Sequence, residues 1–265
     1  MTHQLPQITP GAEPFFYKAE SSAACLCLHG FTAAPDEMRW FGHALAQQGI
    51  STYGPRHAGH GVDYHDLARM RWQDWYLGAL DAYHLLRQQY AQVFVAGLSM
   101  GGLLSLMVAA TVPVAGVVVM AAPFVVNDWK LEATHWLKFA LPFSKQPDIS
   151  DLPQRIRQEQ ARRGMPVVGR VRYDDWSTAA AAELHTVMLR AADCLPHVSA
   201  PVLTIYSQGD QTVPPKNAAF LQAHIGSKIL EQHVLQKSDH VLTQDSECDT
   251  VFALAAAFVR RQAGL

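Results

Sequence analysis

The feature that most constrains the fold of this chain is a serine between two glycines, placed where an apolar strand would turn into an apolar helix. Residues 93–102 read Val-Phe-Val-Ala-Gly-Leu-Ser-Met-Gly-Gly, so Gly97 and Gly101 each lie two positions from Ser99. A turn this sharp has no room for flanking side chains, and it holds the serine backbone in a sparsely populated region that typically costs about 1–3 kcal/mol. The pattern predicts a nucleophilic Ser99 at a sheet edge, whereas the competing interpretation is an ordinary glycine-rich turn.

Length and composition indicate one large globular domain and restrict its function. The 265 residues are enough for an α/β domain with an insertion, and 49% of them are hydrophobic against 17% charged. A formal net charge of −2 gives no basis for binding nucleic acid or acidic lipids. Since no uninterrupted apolar stretch reaches about 18 residues, we expect no stable insertion into a membrane.

The N-terminal residues and the cysteines favour a soluble cytoplasmic protein. Residues 1–17 lack a basic start followed by an apolar run, so no secretory signal is predicted. Cys25 and Cys27 point to one face of an apolar strand, and we expect reduced thiols rather than a disulfide framework. The sequence does not bear on the oligomeric state.

Apolar runs alternate with helical segments along most of the chain, which predicts an α/β fold with a mostly parallel sheet flanked by helices on both faces. The predicted strands are short and apolar and span residues 23–28, 50–53, 93–98, 116–120, 201–207 and 229–235. The main predicted helices span residues 37–48, 72–90, 103–110 and 249–262. Ligands of such sheets bind at the carboxyl ends of the strands, where Ser99 lies.

The alternation breaks between residues 125 and 193. This stretch contains predicted helices at 131–141, 152–163 and 177–193 and no convincing strand. It is longer than a single crossover helix, which needs only about 10–12 residues. We therefore predict a core domain of residues 1–124 and 194–265, with residues 125–193 inserted as a helical cap (lid) over the serine. The competing interpretation is a set of ordinary helices packed on the sheet.

A serine hydroxyl needs an imidazole to accept its proton, and in sites of this kind the histidine follows the serine in the chain. Six of the 13 histidines come after Ser99. His240 follows the last predicted strand, where a loop can carry its imidazole over the sheet edge. It is preferred to His197 and to His233, which falls within that strand.

The imidazole in turn needs a carboxylate to orient it. Asp210 lies in the loop Ser-Gln-Gly-Asp-Gln-Thr-Val-Pro-Pro, directly after the penultimate strand. It is preferred to Asp245 and to Asp239, because Asp239 is adjacent to His240 and neighbouring residues seldom meet in triad geometry. The competing interpretation of Asp210 is a carboxylate that caps a turn through backbone bonds alone.

An oxyanion hole needs two backbone N–H groups aimed at the point where negative charge develops. The residue after the nucleophile, Met100, supplies one of them, and the loop after the first buried strand supplies the other. In that loop Gly30 lets the backbone approach closely, so Phe31 is the predicted second donor. The competing interpretation of His29-Gly30 is a simple turn that ends the strand.

Motifs in the order typical of the α/β-hydrolase superfamily occur along the whole chain. They are Leu28-His-Gly-Phe-Thr32, Gly59-His-Gly61, Gly97-Leu-Ser-Met-Gly-Gly102, Gly209-Asp210 and Ser238-Asp-His240. Three further motifs point to a subfamily: Gly11-Ala-Glu-Pro-Phe15, Asp74-Trp75 and Val213-Pro-Pro-x-Asn217. From about residue 11 onward the chain resembles small bacterial carboxylesterases and monoacylglycerol lipases with a compact helical cap.

The resemblance implies an α/β-hydrolase fold and catalytic roles for Ser99, Asp210 and His240. It also implies that Phe31 and Met100 are the oxyanion donors and contact the substrate. These residues agree with those chosen on chemical grounds. The 125–193 segment does not match in detail, so the residues in it that bind the substrate are unassigned.

Neither a metal, a cofactor nor an anionic substrate is predicted from the remaining motifs. One loop holds His57, His60, Asp63, His65 and Asp66, but it lacks the spacing of a metal site, and we expect no metal. The absence of Gly-x-Gly-x-x-Gly after the first strand and of a P-loop argues against a nucleotide cofactor, so no cofactor is expected. A basic run is interpreted as a solvated cap face rather than a site for an anionic substrate: Arg155, Arg157, Arg162, Arg163, Arg170 and Arg172.

The sequence as a whole predicts a serine hydrolase of carboxylic esters that forms an acyl-enzyme on Ser99. The expected partner is a small-molecule ester with an apolar acyl or aromatic part, as in lipid metabolism, and not a nucleic acid. A thioesterase, amidase or perhydrolase with the same triad is an alternative. A non-catalytic ligand-binding module on a hydrolase scaffold is another.

Overall fold

A seven-stranded sheet organises the chain. The structure, a computed structural model, describes residues 6–125, 129–138, 140–145 and 150–265. In chain order, its strands are β1 (Phe15–Tyr17), β2 (Ala23–Leu28), β3 (Ser51–Gly54), β4 (Gln92–Leu98), β5 (Gly116–Met120), β6 (Phe143–Lys145), β7 (Asp175–Ser177), β8 (Val202–Ser207) and β9 (Leu230–Leu235). The main sheet has the order β1-β3-β2-β4-β5-β8-β9, and β6 pairs only with β7.

Helices connect these strands and cover both faces of the sheet. In chain order they are α1 (Asp36–Gln47), α2 (Tyr64–Leu67), α3 (Trp72–Arg87), α4 (Met100–Thr111), α5 (Trp129–Leu137), α6 (Leu152–Arg162), α7 (Thr178–Cys194), α8 (Lys216–His224) and α9 (Cys248–Ala263). In the main sheet β1 pairs antiparallel with β3, and the other pairs are parallel. This arrangement confirms the predicted α/β fold.

The alternating side chains of the central strands divide the interior into two cores. Leu26 and Val95 face the side covered by α3, α4 and α7. Cys25 and Phe94 face the opposite side, which α1 and α9 cover. Both faces of β2 are therefore buried, which explains its unbroken apolar sequence. All four cysteines are free thiols.

The predicted strands and helices agree with the observed ones to within a few residues, and β2 and β5 have the predicted bounds. The short edge strand β1 was not predicted, because three residues give too little alternation to recognise. No helix among the described residues is both long and apolar enough to cross a membrane.

Residues 125–193 contain α5, α6, α7 and the β6–β7 pair. Helix α7 packs against both α4 of the core and α5. The expectation of no strand here was wrong, since Phe143–Lys145 and Asp175–Ser177 form a short antiparallel pair. Part of the segment, residues 126–128, 139 and 146–149, lies outside the described residues. Its role as a cap over the serine stays a prediction.

Candidate active site

The turn around Ser99 joins β4 to α4 through very close backbone contacts. Ser99 has φ 56° and ψ −118°, a conformation that non-glycine residues rarely adopt. A Cβ on Gly97 would lie 2.1 Å from the Gly101 carbonyl carbon, and a Cβ on Gly101 would lie 2.1 Å from the Leu28 carbonyl oxygen. Side chains at either glycine would therefore force the turn apart, as the sequence predicted.

Strained backbone is concentrated at this edge of the sheet. Thr32 and Ala121 have φ values of 61° and 46°, and with Ser99 they are the non-glycine residues with positive φ among the described ones. Each follows the carboxyl end of a strand in the centre of the sheet. Residues held in such conformations persist only where their surroundings fix them, and they are common at functional sites.

Asp210 and His240 meet beyond the carboxyl ends of β8 and β9. The His240 Nδ1 atom is 2.9 Å from Asp210 Oδ2. The other oxygen, Oδ1, accepts the N–H groups of Thr212 and Val213 at 2.8 and 2.7 Å. Because an ionised carboxylate only accepts hydrogen bonds, His240 Nδ1 carries the proton and Nε2 is left to act as a base.

The charge on Asp210 sets the basicity of His240. Burial lowers the pKa of His240, but the charge of Asp210 and its hydrogen bond raise it further than burial lowers it. Two weaker influences oppose each other, since Arg170 lowers this pKa and Glu37 raises it. The net pKa lies above the usual value for histidine.

Asp239 and Asp245, the alternatives to Asp210, accept hydrogen bonds from backbone N–H groups and not from an imidazole. Asp239 Oδ1 accepts the N–H groups of His240 and Gln211 at 2.8 and 3.1 Å, which joins the loops of the histidine and of Asp210. Asp245 Oδ2 accepts the Asp239 N–H at 2.7 Å. Both carboxylates therefore keep the loop of His240 in place.

His197 and His233, the alternatives to His240 as the base, lie at exposed positions in other parts of the fold. His197 belongs to the short 3₁₀ turn Leu195–His197, and His233 lies in β9. Both are solvent-exposed, whereas His240 is largely buried against Asp210.

The loop after β2 holds Gly30 by both of its backbone polar groups. The Gly30 N–H donates to Glu37 Oε2 at 3.2 Å, and the His29 Nδ1–H donates to the Gly30 carbonyl at 2.9 Å. His29 Nε2 accepts the His57 N–H at 3.1 Å, which fixes that tautomer. In a trans peptide the N–H of Phe31 points opposite to the Gly30 carbonyl and so away from His29.

The second predicted donor lies at the start of α4. Met100 is the first residue of that helix, and the first N–H groups of a helix have no acceptor within it. They also lie at the positive end of the helix dipole, which favours negative charge. The geometry at Met100 thus suits an oxyanion.

Phe31 lies in a cluster of aromatic rings next to this loop. Its ring centroid is 5.9 Å from that of Trp75 and 5.3 Å from that of Trp176, and both contacts are edge-on. Trp176 belongs to β7, so the 125–193 segment contributes an aromatic wall beside a predicted donor.

Three buried histidines, His29, His57 and His60, pack against one another, and the ring of His60 contacts that of Phe31. Burial lowers the pKa of His57 to about 3 and that of His60 to about 4, and it lowers the pKa of His29 as well. All three are therefore neutral near pH 7. Within the described part of the chain, no group of His, Cys, Asp and Glu side chains is arranged to hold a metal ion.

The interpretation of the basic run as a solvated face was wrong for four of its members. The side chains of Arg155, Arg163, Arg170 and Arg172 are only 25%, 21%, 12% and 9% exposed, whereas that of Arg162 is 55% exposed. Arg155 and Arg170 pair with buried carboxylates of the core. Sequence reasoning missed these contacts because each joins residues about 90 or more positions apart.

Comparisons with known proteins find a family and relatives that match most or all of the chain. Residues 19–247 match the family Hydrolase_4, described as serine aminopeptidase, S33. The chain is 30% identical over 265 residues to the thermostable monoacylglycerol lipase of Bacillus sp. (strain H-257), covering 100% of both. It is 25% identical over 245 residues to a carboxylesterase of Bacillus subtilis (strain 168), covering 92% of this chain and 94% of the relative.

Solved structures extend the likeness to three dimensions. A chain from the structural work on LipS and LipT, two metagenome-derived lipolytic enzymes, has a TM-score of 0.83 and 30% identity with this one. The match covers 96% of this chain and 100% of the other.

Proposed function

Because the chain belongs to the Hydrolase_4 family (serine aminopeptidase, S33), we propose that it is a carboxylesterase or monoacylglycerol lipase whose acyl-enzyme forms on Ser99. The family and the named relatives show a serine hydrolase that cleaves esters, and they confirm the predicted resemblance. The residues that carry the reaction are our assignment.

In the proposed mechanism Ser99 Oγ attacks the ester carbonyl while His240 Nε2 takes its proton. The tetrahedral oxyanion accepts the N–H groups of Phe31 and Met100. His240 then gives the proton to the departing alcohol, and a water activated in the same way releases the acid and restores Ser99. Asp210 holds the imidazole in the required tautomer and stabilises its charged form.

The observation that carries this assignment is the hydrogen bond of 2.9 Å between His240 Nδ1 and Asp210 Oδ2, at the same sheet edge as the strained Ser99 turn. The backbone bonds to Asp210 Oδ1 support it, since they orient the carboxylate toward the imidazole.

The experiment compares Ser99→Ala with the wild-type chain on 4-nitrophenyl esters and on a fluorophosphonate probe. We expect kcat to fall by at least about 10⁴-fold and labelling to disappear. Ser105→Ala is the matched control, because Ser105 lies in α4, which begins directly after Ser99, and its hydroxyl donates to the Gly101 carbonyl of that helix. Substantial turnover by the Ser99 variant, or labelling at another serine, would contradict the assignment.

The alternatives are not favoured, because the two relatives described above are a monoacylglycerol lipase and a carboxylesterase. Comparing kcat/KM for matched ester, thioester and amide substrates separates an esterase from a thioesterase or amidase. Failure of the wild-type chain to react with the fluorophosphonate would indicate a non-catalytic module.

We further propose that the substrate is a small ester with an apolar acyl or aromatic part. The rings of Phe31 and Trp176 support this, since they place apolar surface beside the predicted oxyanion donors. The free thiols, of which Cys25, Cys27 and Cys248 are buried, support a cytoplasmic location.

A further inference from the structure

An ion pair between α1 and the 125–193 segment lies beside the proposed nucleophile. Arg170 Nη2 is 3.1 Å from Glu37 Oε1, and Glu37 Oε2 accepts the Gly30 N–H at 3.2 Å. A Cβ on Gly30 would lie 3.0 Å from this oxygen and 3.5 Å from Ser99 Cβ, so carboxylate and serine flank the same glycine. The Glu37 carbonyl also accepts the Thr243 hydroxyl, in the loop of the proposed base.

Charged groups from three other parts of the chain act on His240. They are Asp210 after β8, Glu37 on α1 and Arg170 in the 125–193 segment. Within its own loop, Asp239 holds the His240 N–H. Arg170 lowers the pKa of the imidazole and Glu37 raises it, so the two charges of the pair offset each other.

An unpaired carboxylate in this position would oppose ester hydrolysis. Negative charge develops on the substrate oxygen in the transition state, close to the loop that Glu37 holds. The Glu37 side chain is only 2% exposed, so water screens its charge poorly. Glu37 fixes Gly30 through its carboxylate, and Arg170 is the cation that pairs with this carboxylate.

We propose that Arg170 is a positioning residue for the ester hydrolysis. Its guanidinium neutralises and orients Glu37, so that the carboxylate fixes the Gly30 N–H without adding net negative charge beside the reacting ester. The 125–193 segment thereby completes the electrostatics of a site whose reacting groups belong to the core. This proposal rests on the proposed function of Ser99.

The test measures kcat/KM on a short-chain 4-nitrophenyl ester against pH for Arg170→Gln, Glu37→Gln and the double variant. For Arg170→Gln we expect kcat/KM to fall by about 10–100-fold. We also expect a rise of at least about half a pH unit in the acid midpoint, the pH at which kcat/KM falls to half of its maximum on the acid side, because a cation near His240 is removed. Glu37→Gln moves the midpoint the other way. The double variant stays within about threefold of Glu37→Gln, since the charge that Arg170 cancels is gone.

Arg162→Gln is the control, because it removes the same charge from an exposed side chain of α6. We expect its rate and its midpoint to match those of the wild-type chain. Arg170→Lys keeps the charge, and we expect it to retain the wild-type midpoint with a smaller loss of rate than Arg170→Gln. An Arg170→Gln profile that matches the Arg162→Gln profile would overturn the proposal.

A merely structural role would lower the melting temperature of Arg170→Gln and leave the midpoint unchanged, which also overturns the proposal. The rate at which a fluorophosphonate labels Ser99, followed against pH, gives the same midpoint without ester turnover. Absent labelling of the wild-type chain would overturn the proposed function itself. Normal labelling with coincident profiles would overturn only the role of Arg170.

Discussion

At the scale of single residues, the direction of one backbone N–H depends on a buried imidazole. His29 donates to the Gly30 carbonyl and accepts the His57 N–H, at 2.9 and 3.1 Å. Because the peptide between Gly30 and Phe31 is planar and trans, fixing the carbonyl also fixes the N–H of Phe31. His29 thus joins the loop after β2 to the loop after β3 and aims a predicted oxyanion donor.

We predict that His29→Ala lowers kcat by about 10–100-fold with a smaller change in KM. The reason is that a misaligned donor loses part of the 10²–10³-fold effect typical of a whole oxyanion donor. His29→Asn keeps a donor near the Gly30 carbonyl, so its kcat is expected to fall between those of His29→Ala and wild type. Steady-state kinetics on a short-chain ester make the measurement.

His84→Ala is the control for this series, because His84 is exposed on α3. We expect wild-type kinetics from it. A His29→Ala enzyme with wild-type kcat would show that the carbonyl is held in place by other contacts.

At the scale of elements, helix α6 is tied to the loop of the proposed base through one arginine. Arg155 Nε and Nη2 bond the two oxygens of Asp245 at 2.8 and 3.0 Å. Asp245 is fully buried and in turn holds the Asp239 N–H. A bidentate pair of this kind fixes both position and orientation.

Breaking this pair should destabilise the fold. We predict that Arg155→Met lowers the free energy of unfolding by about 2–3 kcal/mol, somewhat below the 3–5 kcal/mol typical of a broken buried pair because Arg155 is partly exposed. Urea unfolding followed by fluorescence measures it. In the control, Arg162→Met removes an exposed arginine and is expected to cost less than about 1 kcal/mol. Equal losses in the two variants would contradict the prediction.

The sequence predicted the elements better than the contacts between them. Strands such as β2 and β5 are buried on both faces, so continuous apolar runs mark them without knowledge of their neighbours. The pattern of the Ser99 turn is equally local, because its two glycines and the serine lie within five residues, although Gly101 also lies against the distant Leu28 carbonyl. The pairing of Arg155 with Asp245 spans 90 positions, and an arginine looks the same in sequence whether its partner is water or a buried carboxylate.

At the scale of the whole molecule, the 125–193 segment starts where a buried amide of the core holds its backbone. Asn217 Oδ1 accepts the N–H groups of Phe124 and Val125, both at 2.7 Å. Its Nδ2 group donates to the carbonyl of Pro214 at 3.0 Å. Asn217 therefore joins the beginning of this segment to the loop that carries the proposed acid.

The last prediction concerns the attachment of this segment to the core. Asn217→Leu removes these hydrogen bonds and leaves partly buried backbone groups unpaired, so we expect a loss of about 2–4 kcal/mol in stability. We also expect faster proteolytic cleavage within residues 125–193, because the beginning of the segment opens locally more often. Asn217→Asp keeps the acceptor oxygen, so we expect its stability and its cleavage rate to lie between those of Asn217→Leu and the wild-type chain. Lys216→Leu, at an exposed neighbouring position, is the control, and cleavage spread evenly over the chain would contradict a local effect.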